Sequence, residues 1–546
     1  MPSFDIQAFL DQFLYDPKYP LLFNNGFFVF FFALFIGLYY RFRNHFKLRQ
    51  YIFCFFSLYF FYKASGVFVV FVILSAIVDY VLSNAIFRQQ DRRKKKLLLI
   101  CSIVFNLGLL FYFKYTNFFI DTINNLFSAG FNPLNILLPV GISFYTFENL
   151  SYTIDVYRGH FEPARRFSDY LLFLSFFPKL VMGPIVRAHD FVPQINKPYI
   201  ITENDFAKGF YLIFSGLFKK LIISDYITLN YVNYIFDDPS RYTGLENLFA
   251  VYGYAVIIYC DFSGYSDTAI GIAKWLGFSI PINFKSPYQG KNITVFWRRW
   301  HISLSSWLRD YLYIPLGGNK KGSFGTWFFS AVFFGGLFFA FIKRFHLSLF
   351  ISLCITAATL VLFMLPAIIK KEKGGITTNL NLLTTMLLGG LWHGASWNFI
   401  IWGVLHGMAL AIHKIWMLLT GKAFEKANTN WFYTAIAVLI TFHFVCFCWV
   451  FFKCTTLEDA SNMLYQITYN FSFSVWGAFF DNYWPVLAMI VVAFMLHAIP
   501  DDYADKLIDR FKKVPMPVYI ALFFVFVVVY GYFKSSEPVM PIYLQF

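Results

Sequence analysis

Apolar segments long enough to cross a lipid bilayer recur along almost the whole chain, and this pattern constrains its fold most. The hydrocarbon core of a bilayer, about 30 Å thick, needs roughly 20 apolar residues in a helix. Because backbone groups must be paired inside lipid, the pattern predicts an all-α, polytopic integral membrane protein with about 11 to 13 spanning helices. The segments lie near 22–40, 50–64, 66–87, 97–115, 135–156, 207–232, 247–275, 326–342, 347–369, 394–416, 431–453, 482–499 and 516–533.

Composition and charge support a membrane protein and argue against nucleic-acid binding. Of 546 residues, 58% are hydrophobic and 14% are charged, whereas a soluble domain carries about 25% charged residues. The net charge of +15 is spread over loops between apolar segments, and a nucleic-acid site would cluster it on one soluble face.

Two further segments, 171–192 and 379–392, look shorter or broken and are expected to be re-entrant or interfacial helices.

The basic loops predict the orientation of the chain. Lys and Arg clusters follow the first, third, fifth and seventh apolar segments, and the loops between them are acidic or neutral. The positive-inside rule makes the basic loops cytoplasmic and the N-terminus extracytoplasmic. Residues 1–20 lack the basic region of a secretory signal and are expected to form an extracytoplasmic segment before a single membrane domain at 21–546. After residue 416 the charges fit either side.

The segment 294–312 predicts one amphipathic helix within this apolar chain. His301 lies in its apolar face, where an imidazole is costly without a partner or a function. A histidine bonded to a backbone carbonyl or to Ser305 is the alternative. The arginines could bind phosphates of an anionic ligand or simply anchor the cytoplasmic side. The apolar face consists of Trp297, Trp300, Leu304, Trp307, Leu308 and Tyr311, and the residues mostly outside it include Arg298, Arg299, Ser305 and Arg309.

A second histidine, His393, lies in the segment 389–397, Gly-Gly-Leu-Trp-His-Gly-Ala-Ser-Trp. Gly390 and Gly394 allow another backbone to approach closely, and Trp392 and Trp397 could separate the imidazole from lipid. A neutral imidazole in a dry pocket can take a proton from an attacking hydroxyl; a packing histidine is the alternative. The chain has no Gly-x-Ser-x-Gly elbow, which favours direct base catalysis over a serine acyl-enzyme.

Two carboxylates, Asp261 and Asp267, fall inside the apolar segment 247–275. Buried carboxylates need partners. They could orient a histidine, pair with Arg298 or Arg299, or form a purely structural ion pair.

The segment 178–190 contains two prolines and a glycine, which break a helix. It is expected to form a re-entrant or interfacial turn that carries Arg187. No set of His, Cys and carboxylate residues has the spacing of a zinc site, and the seven cysteines form no disulfide framework. We therefore expect no metal and no permanently bound cofactor.

Together these motifs resemble the membrane-bound O-acyltransferase (MBOAT) family. The resemblance is to its bacterial alginate O-acetyltransferase branch and, more distantly, to the teichoic-acid D-alanyl transfer protein. It covers roughly residues 20–455 and implies helices around a central tunnel, with a catalytic core at about 135–455. It also implies that His393 and His301 are both catalytic and lie close together. The matching stretches are 21–25, 138–147, 155–159, 182–187, 261–267, 296–318 and 389–394.

The chain departs from the family pattern at about 323–373, where two apolar segments form a predicted two-helix insertion. An even number of crossings returns the chain to the same side of the membrane. The insertion could narrow the substrate entrance, bind a partner or contact only lipid. A smaller departure is Lys179, where a neutral residue or histidine is expected.

The resemblance implies an acetyl relay across the bacterial cytoplasmic membrane onto a cell-surface or exported polysaccharide. The donor would be acetyl-coenzyme A or an acyl carrier thioester on the basic cytoplasmic face. The acceptor would be the polysaccharide itself or a secreted acetyltransferase on the other face, and lipids would surround the helices. One alternative is transfer of D-alanyl or another acyl group to teichoic acid, lipid or protein. Another is a glycan or lipid transporter, although such proteins usually contain internal repeats and the chain shows none.

Overall fold

The computed structural model describes residues 6–23, 25–343, 348–370, 375–427, 430–533 and 539–544. Throughout these residues the regular secondary structure is helical and includes no strand. Apolar helical stretches of 10–17 residues lie at Gly26–Arg41, at Phe324–Phe339 within the helix Phe324–Lys343, and at Leu349–Val361 within the helix Leu349–Lys370. The predicted all-α, multi-pass membrane class is confirmed. Seven helical spans among the described residues are long and apolar enough to cross a membrane, counting α-helices joined by a short 3₁₀ or π segment as one span and ending one span at the kink at Gly421. They are Phe46–Arg88, Arg92–Phe127, Gly244–Trp275, Trp397–Gly421, Trp431–Lys453, Trp476–Ala498 and Met516–Phe533.

The described chain forms two compact units. The first comprises Met1–Tyr231, Val256–Asn283 and Tyr483–Phe546. It includes most of Gly244–Trp275 and of Trp476–Ala498. Its other α-helices are Ile6–Asp11, Gly26–Arg41, Phe46–Ser65, Val69–Arg88, Arg92–Leu110, Thr116–Phe127, Ile142–Arg158, Phe167–Ser175, Phe177–Leu180, Ala188–Ile195, Glu203–Leu217, Asp225–Ile227, Asp501–Phe511 and Met516–Phe533.

A buried carboxylate links three helices of the first unit. Asp79 accepts hydrogen bonds from Ser102 at 2.5 Å and from Asn106 at 2.7 Å. The Thr153 hydroxyl lies 3.4 Å from the same carboxylate. Because buried polar groups must be satisfied inside a membrane protein, this network fixes the packing of Val69–Arg88, Arg92–Leu110 and Ile142–Arg158.

The second unit comprises Val232–Ala255 and Phe284–Asn482. It includes the start of Gly244–Trp275 and of Trp476–Ala498. Its other α-helices are Asn233–Asp237, Ile293–Trp297, Ile302–Leu308, Ile314–Leu316, Phe324–Lys343, Leu349–Lys370, Gly375–His393, Trp397–Ala427, Trp431–Lys453 and Leu457–Tyr469.

Glycines bring two helices of the second unit into backbone contact. A Cβ atom added at Gly390 would lie 2.3 Å from the Phe399 carbonyl oxygen, and one added at Gly403 would lie 2.4 Å from the Met386 carbonyl oxygen. Any side chain here would force Gly375–His393 and Trp397–Ala427 apart. The close approach predicted around Gly390 is therefore present.

The structure differs from the sequence prediction at 379–392, which belongs to one continuous helix of 19 residues, Gly375–His393. The apolar pattern does not extend into the polar N-terminal part of this helix, but Asn381 in that part is buried and hydrogen-bonded. Its amide donates to the Gly318 carbonyl at 3.0 Å, and its oxygen accepts from Thr326 at 2.7 Å. Because these bonds satisfy the polar side chain, the helix extends beyond the apolar run.

Two helices, Phe324–Lys343 and Leu349–Lys370, lie within the 323–373 segment, and residues 344–347 and 371–374 lie outside the described residues. Phe333 and Phe334 of the first helix pack against Leu380 and Leu383 of Gly375–His393. The segment therefore supports the helix that ends in His393.

Candidate active site

Residues 293–308 form two short helices separated by a turn, so the predicted single helix at 294–312 is wrong. Ile293–Trp297 ends before the turn, and Ile302–Leu308 begins after it. His301 adopts a left-handed backbone conformation, with φ 42° and ψ 56°. This conformation is rare for residues other than glycine and costs about 1–3 kcal/mol. Tertiary packing holds it, which helical periodicity does not reveal.

The turn preserves the burial of the predicted apolar face. Trp297 and Trp307 are buried on either side of it. Trp300 is 1% exposed and packs with its ring centroid 5.0 Å from Phe284 and 5.0 Å from Trp449. These rings hold the turn in place, and His301 is 0% exposed within it.

His393 and His301 contact the same indole. His393 is the last residue of Gly375–His393 and is 3% exposed. Its ring centroid lies 5.0 Å from Trp392, 4.9 Å from Trp402 and 5.3 Å from Phe452. The His301 ring lies 6.0 Å from Trp392. Two histidines far apart in the sequence are thus brought to one aromatic neighbour.

The environment of His301 determines its protonation state. The residue lies outside the helices long enough to span a membrane. Burial lowers the pKa of His301 to about 3. The imidazole is therefore neutral near pH 7 and has one N–H donor and one acceptor nitrogen.

A third histidine, His406, packs against Trp402, as His393 does, although its sequence context suggests only packing. Its Nδ1 accepts a hydrogen bond from the indole N–H of Trp297 at 3.3 Å. Its ring centroid lies 4.7 Å from Trp402, and the residue is 0% exposed. One sequence signal could have identified it, because Trp402 and His406 are four residues apart and share a helix face.

The other predicted site residues of the second unit differ in their exposure and in their hydrogen-bond partners. Arg298 is exposed, and the exposed Arg309 bonds its neighbour Asp310 at 2.7 Å. Arg299 donates to the Ser286 carbonyl at 3.4 Å. The Ser305 hydroxyl donates to the Trp300 carbonyl at 3.2 Å. Trp397 is 52% exposed, whereas Trp392 is buried and contacts both imidazoles.

The predicted carboxylates of the first unit are held by lysines. Asp261 lies 2.5 Å from Lys220 and accepts the backbone N–H of Ile542 at 2.9 Å. Asp267 lies 2.6 Å from Lys219. This is the structural-pair alternative, with lysines in place of the arginines considered from sequence. The signal for these partners was two adjacent lysines inside the apolar segment 207–232.

Arg187 is buried near an ion pair that sequence reasoning missed. It belongs to the turn between Phe177–Leu180 and Ala188–Ile195 and is 8% exposed. Glu148, which lies close enough for Arg187 to affect it electrostatically, pairs with Lys179 and accepts the backbone N–H of Val186 at 3.1 Å. This pair explains the unexpected lysine at position 179.

Among the residues that the structure describes, no group of three or more His, Cys, Asp or Glu side chains could hold a metal ion.

Sequence comparisons identify the family. Residues 164–370 match the family model described as MBOAT, membrane-bound O-acyltransferase family. The chain is 34% identical over 420 residues to the peptidoglycan O-acetyltransferase of Helicobacter pylori, covering 71% of this chain and 68% of the relative. This chain belongs to the membrane-bound O-acyltransferase family. It is an O-acyltransferase with multiple membrane helices.

Two other relatives of this O-acyltransferase extend the comparison. A probable alginate O-acetylase AlgI of Azotobacter vinelandii is 35% identical over 469 residues, covering 84% of this chain and 79% of the relative. The teichoic acid D-alanyltransferase of Bacillus subtilis is 28% identical over 319 residues, covering 58% of this chain and 68% of the relative. Similarity is greater to the acetylases than to the D-alanyltransferase.

Proposed function

We propose that this O-acyltransferase moves an acetyl group from a cytoplasmic thioester to hydroxyls of a cell-surface or exported polysaccharide, directly or through a partner transferase. The observation that carries the proposal is the burial of His301 and His393 against one indole, Trp392. The relatives named as peptidoglycan and alginate acetylases support a polysaccharide acceptor. Acetyl-coenzyme A and an acyl carrier thioester both fit the donor role.

His393 is proposed as the general base. It takes the proton of the attacking hydroxyl while the hydroxyl oxygen bonds to the acyl carbon. The carbon–sulfur bond then breaks, and the departing thiolate takes the proton from His393. A positioned base contributes about 10²–10⁴-fold in rate.

His301 is proposed as an orienting hydrogen-bonding group. A base works best when its pKa lies near the operating pH, and burial lowers the pKa of His301 to about 3. Its neutral imidazole is better suited to hold a substrate or water than to abstract a proton.

The exposed arginines are proposed to receive the anionic donor. Arg298 and Arg309 are exposed, and guanidinium groups bind phosphate and carboxylate in a bidentate manner. On this proposal the 293–316 segment lies on the cytoplasmic side, as the basic loops predict. The protein would lie in the bacterial cytoplasmic membrane with its N-terminus outside. Its single membrane domain at 21–546, with the inserted helix pair at 323–373, stays a prediction.

A second candidate is D-alanyl transfer to teichoic acid, favoured by the similarity to the Bacillus subtilis enzyme. The proposed chemistry at His393 would be the same. The acyl group and acceptor would differ.

The test compares the surface polysaccharides of wild-type cells, cells lacking this chain and complemented cells. Mass spectrometry of purified polysaccharide measures base-labile acyl groups. The proposal predicts that acetyl esters are absent from the polysaccharide of cells lacking this protein and return in complemented cells. Loss of D-alanyl esters instead would select the second candidate. Altered glycan export with unchanged acyl esters would contradict acyl transfer and favour a transporter.

A further inference from the structure

Three residues of the second unit, Trp402 and its ring neighbours His406 and Trp449, each carry a buried side-chain N–H group. The indole Nε1 atoms of Trp402 and Trp449 and the Nε2 atom of His406 have no hydrogen-bond acceptor among the described residues. The three side chains are 1%, 0% and 0% exposed. Each unsatisfied buried donor costs about 1–3 kcal/mol, and buried polar groups are usually paired. A cluster of three such donors points to a ligand that supplies lone pairs.

The hydrogen bond from Trp297 fixes the tautomer of His406. An indole nitrogen can only donate, so His406 Nδ1, 3.3 Å from Trp297 Nε1, must be the acceptor. The proton of the neutral imidazole is then on Nε2. His406 therefore presents a donor to the same cluster as the two indoles.

The ring positions place Trp402 beside the proposed base and beside the other two donor residues. The Trp402 ring centroid lies 4.7 Å from His406 and 6.0 Å from Trp449. It also lies 4.9 Å from His393, with the two ring planes at 80°. Trp402 is thus a shared neighbour of the other two donors and of His393.

The chemistry of the cluster selects the class of ligand. Its groups are N–H donors on neutral rings in an aromatic, water-poor setting, which suits an oxygen that accepts hydrogen bonds and carries no proton. An acyl carbonyl oxygen meets this description and gains negative charge during acyl transfer. Donors fixed in a low-dielectric site stabilise such a developing charge strongly.

We propose that the Trp402 indole N–H, together with the His406 and Trp449 donors, binds the acyl carbonyl oxygen and stabilises the oxyanion formed during transfer. This rests on the proposed function. As the hydroxyl oxygen bonds to the acyl carbon, His393 takes the hydroxyl proton, and the carbonyl electron pair moves onto the oxygen held by these donors. The pair returns as the carbon–sulfur bond breaks, and the leaving thiolate takes the proton from His393.

The first test measures acetyl transfer from radiolabelled acetyl-coenzyme A to cell polysaccharide in membranes carrying wild type, Trp402→Phe or Trp416→Phe. Phenylalanine keeps an aromatic ring and removes the N–H donor. Trp416 lies on the same helix but is 51% exposed, so its variant controls for loss of an indole. Loss of one oxyanion donor lowers kcat by about 10²–10³-fold, and the KM for acetyl-coenzyme A should change little.

The outcomes separate this inference from the proposed function. No transfer by wild-type membranes would contradict the proposed function with this donor. Transfer by wild type with an equal rate for Trp402→Phe would overturn the inference alone. A loss confined to Trp402→Phe, with Trp416→Phe near wild type, would support it.

A spectroscopic test excludes a merely structural role. Infrared difference spectra would record the carbonyl stretch of ¹³C-labelled acetyl-coenzyme A bound to His393→Ala protein, with and without Trp402→Phe. The stretching frequency should be lower with Trp402 present than with Trp402→Phe, which keeps only the His406 and Trp449 donors. Equal frequencies would overturn the proposal even if Trp402→Phe lowered activity.

A second pair of variants covers misfolding of Trp402→Phe. His406→Gln keeps an N–H donor, and His406→Phe removes it. The proposal predicts a larger loss of kcat for His406→Phe than for His406→Gln at matched amounts of folded protein. Equal losses would overturn the part assigned to His406.

Discussion

The left-handed conformation of His301 predicts an unusual order of stability between two substitutions. His301→Ala and His301→Gly both remove the imidazole and differ only in the Cβ atom. The left-handed region costs alanine about 1–2 kcal/mol, whereas glycine loses about 0.5–1 kcal/mol through chain entropy. At φ 42°, His301→Gly should therefore be more stable than His301→Ala by about 0.5–1 kcal/mol.

The matched control is Ser306, five residues further on in the regular helix Ile302–Leu308. There glycine should be less stable than alanine by about 0.8–1.0 kcal/mol, so the order of the two substitutions reverses. The two pairs of variants should thus differ by about 1.5 kcal/mol in their Gly–Ala preference.

The assay is thermal unfolding of the purified protein in detergent at a fixed heating rate. With an unfolding entropy of about 2.1 cal/mol/K per residue, a change of 1 kcal/mol corresponds to about 1 °C in Tm when all 546 residues unfold together. If His301→Ala melts at or above His301→Gly while the Ser306 pair behaves normally, the left-handed turn is refuted. Both His301 variants should also lose most acetyl transfer, because neither keeps the proposed orienting group.

Two further predictions concern packing and charge. Gly403→Ala should destabilise the protein by about 1–3 kcal/mol because its Cβ would lie 2.4 Å from the Met386 carbonyl oxygen. The control Gly335→Ala, whose Cβ would have nothing within 4 Å, should stabilise the protein by about 1 kcal/mol. Equal shifts in melting temperature in detergent would contradict this packing. Lys219→Met alone should lower the yield of folded protein by leaving Asp267 without its ion-pair partner at 2.6 Å, and adding Asp267→Leu should restore much of it. A double variant with a yield at or below that of Lys219→Met would contradict the pairing argument.

Hydropathy predicted the long helices well where the end of the apolar run coincides with a local stop signal. The segment 431–453 matches Trp431–Lys453 because Asn430 caps its N-terminus, accepting the Phe432 N–H at 2.9 Å. By contrast, the apolar segment 135–156 becomes helical only at Ile142, after Gly141 with φ 71°. A backbone angle of this kind sets the start of a helix without changing hydropathy.

The candidate site was predicted in part. Helical periodicity predicted the buried face around Trp300, because an apolar stripe is buried whether or not the helix is continuous. It did not predict the turn at His301, since the packing of the neighbouring Trp300 against Phe284 and Trp449 holds that turn. The expectation that His301 lies near His393 came only from the family resemblance, because residues distant in the chain meet through tertiary structure.

Charged residues were recognised but their partners were not. Asp261 and Asp267 stood out inside an apolar segment, yet their contacts with Lys220 and Lys219 depend on how two helical segments face each other. The hydrogen bond from Ile542 to Asp261 comes from a distant part of the chain. Such pairings follow from packing, which one sequence does not specify.

The most direct measurement of the central claim is the acetyl ester content of surface polysaccharide in cells carrying His393→Ala. The matched control is His443→Ala, which removes an exposed histidine from the helix Trp431–Lys453. With equal amounts of each protein in the membrane, the proposed base predicts a loss of about 10²–10⁴-fold in transfer rate for His393→Ala and near wild-type transfer for His443→Ala. Ester content and initial transfer rate at wild-type level in His393→Ala cells would contradict the account.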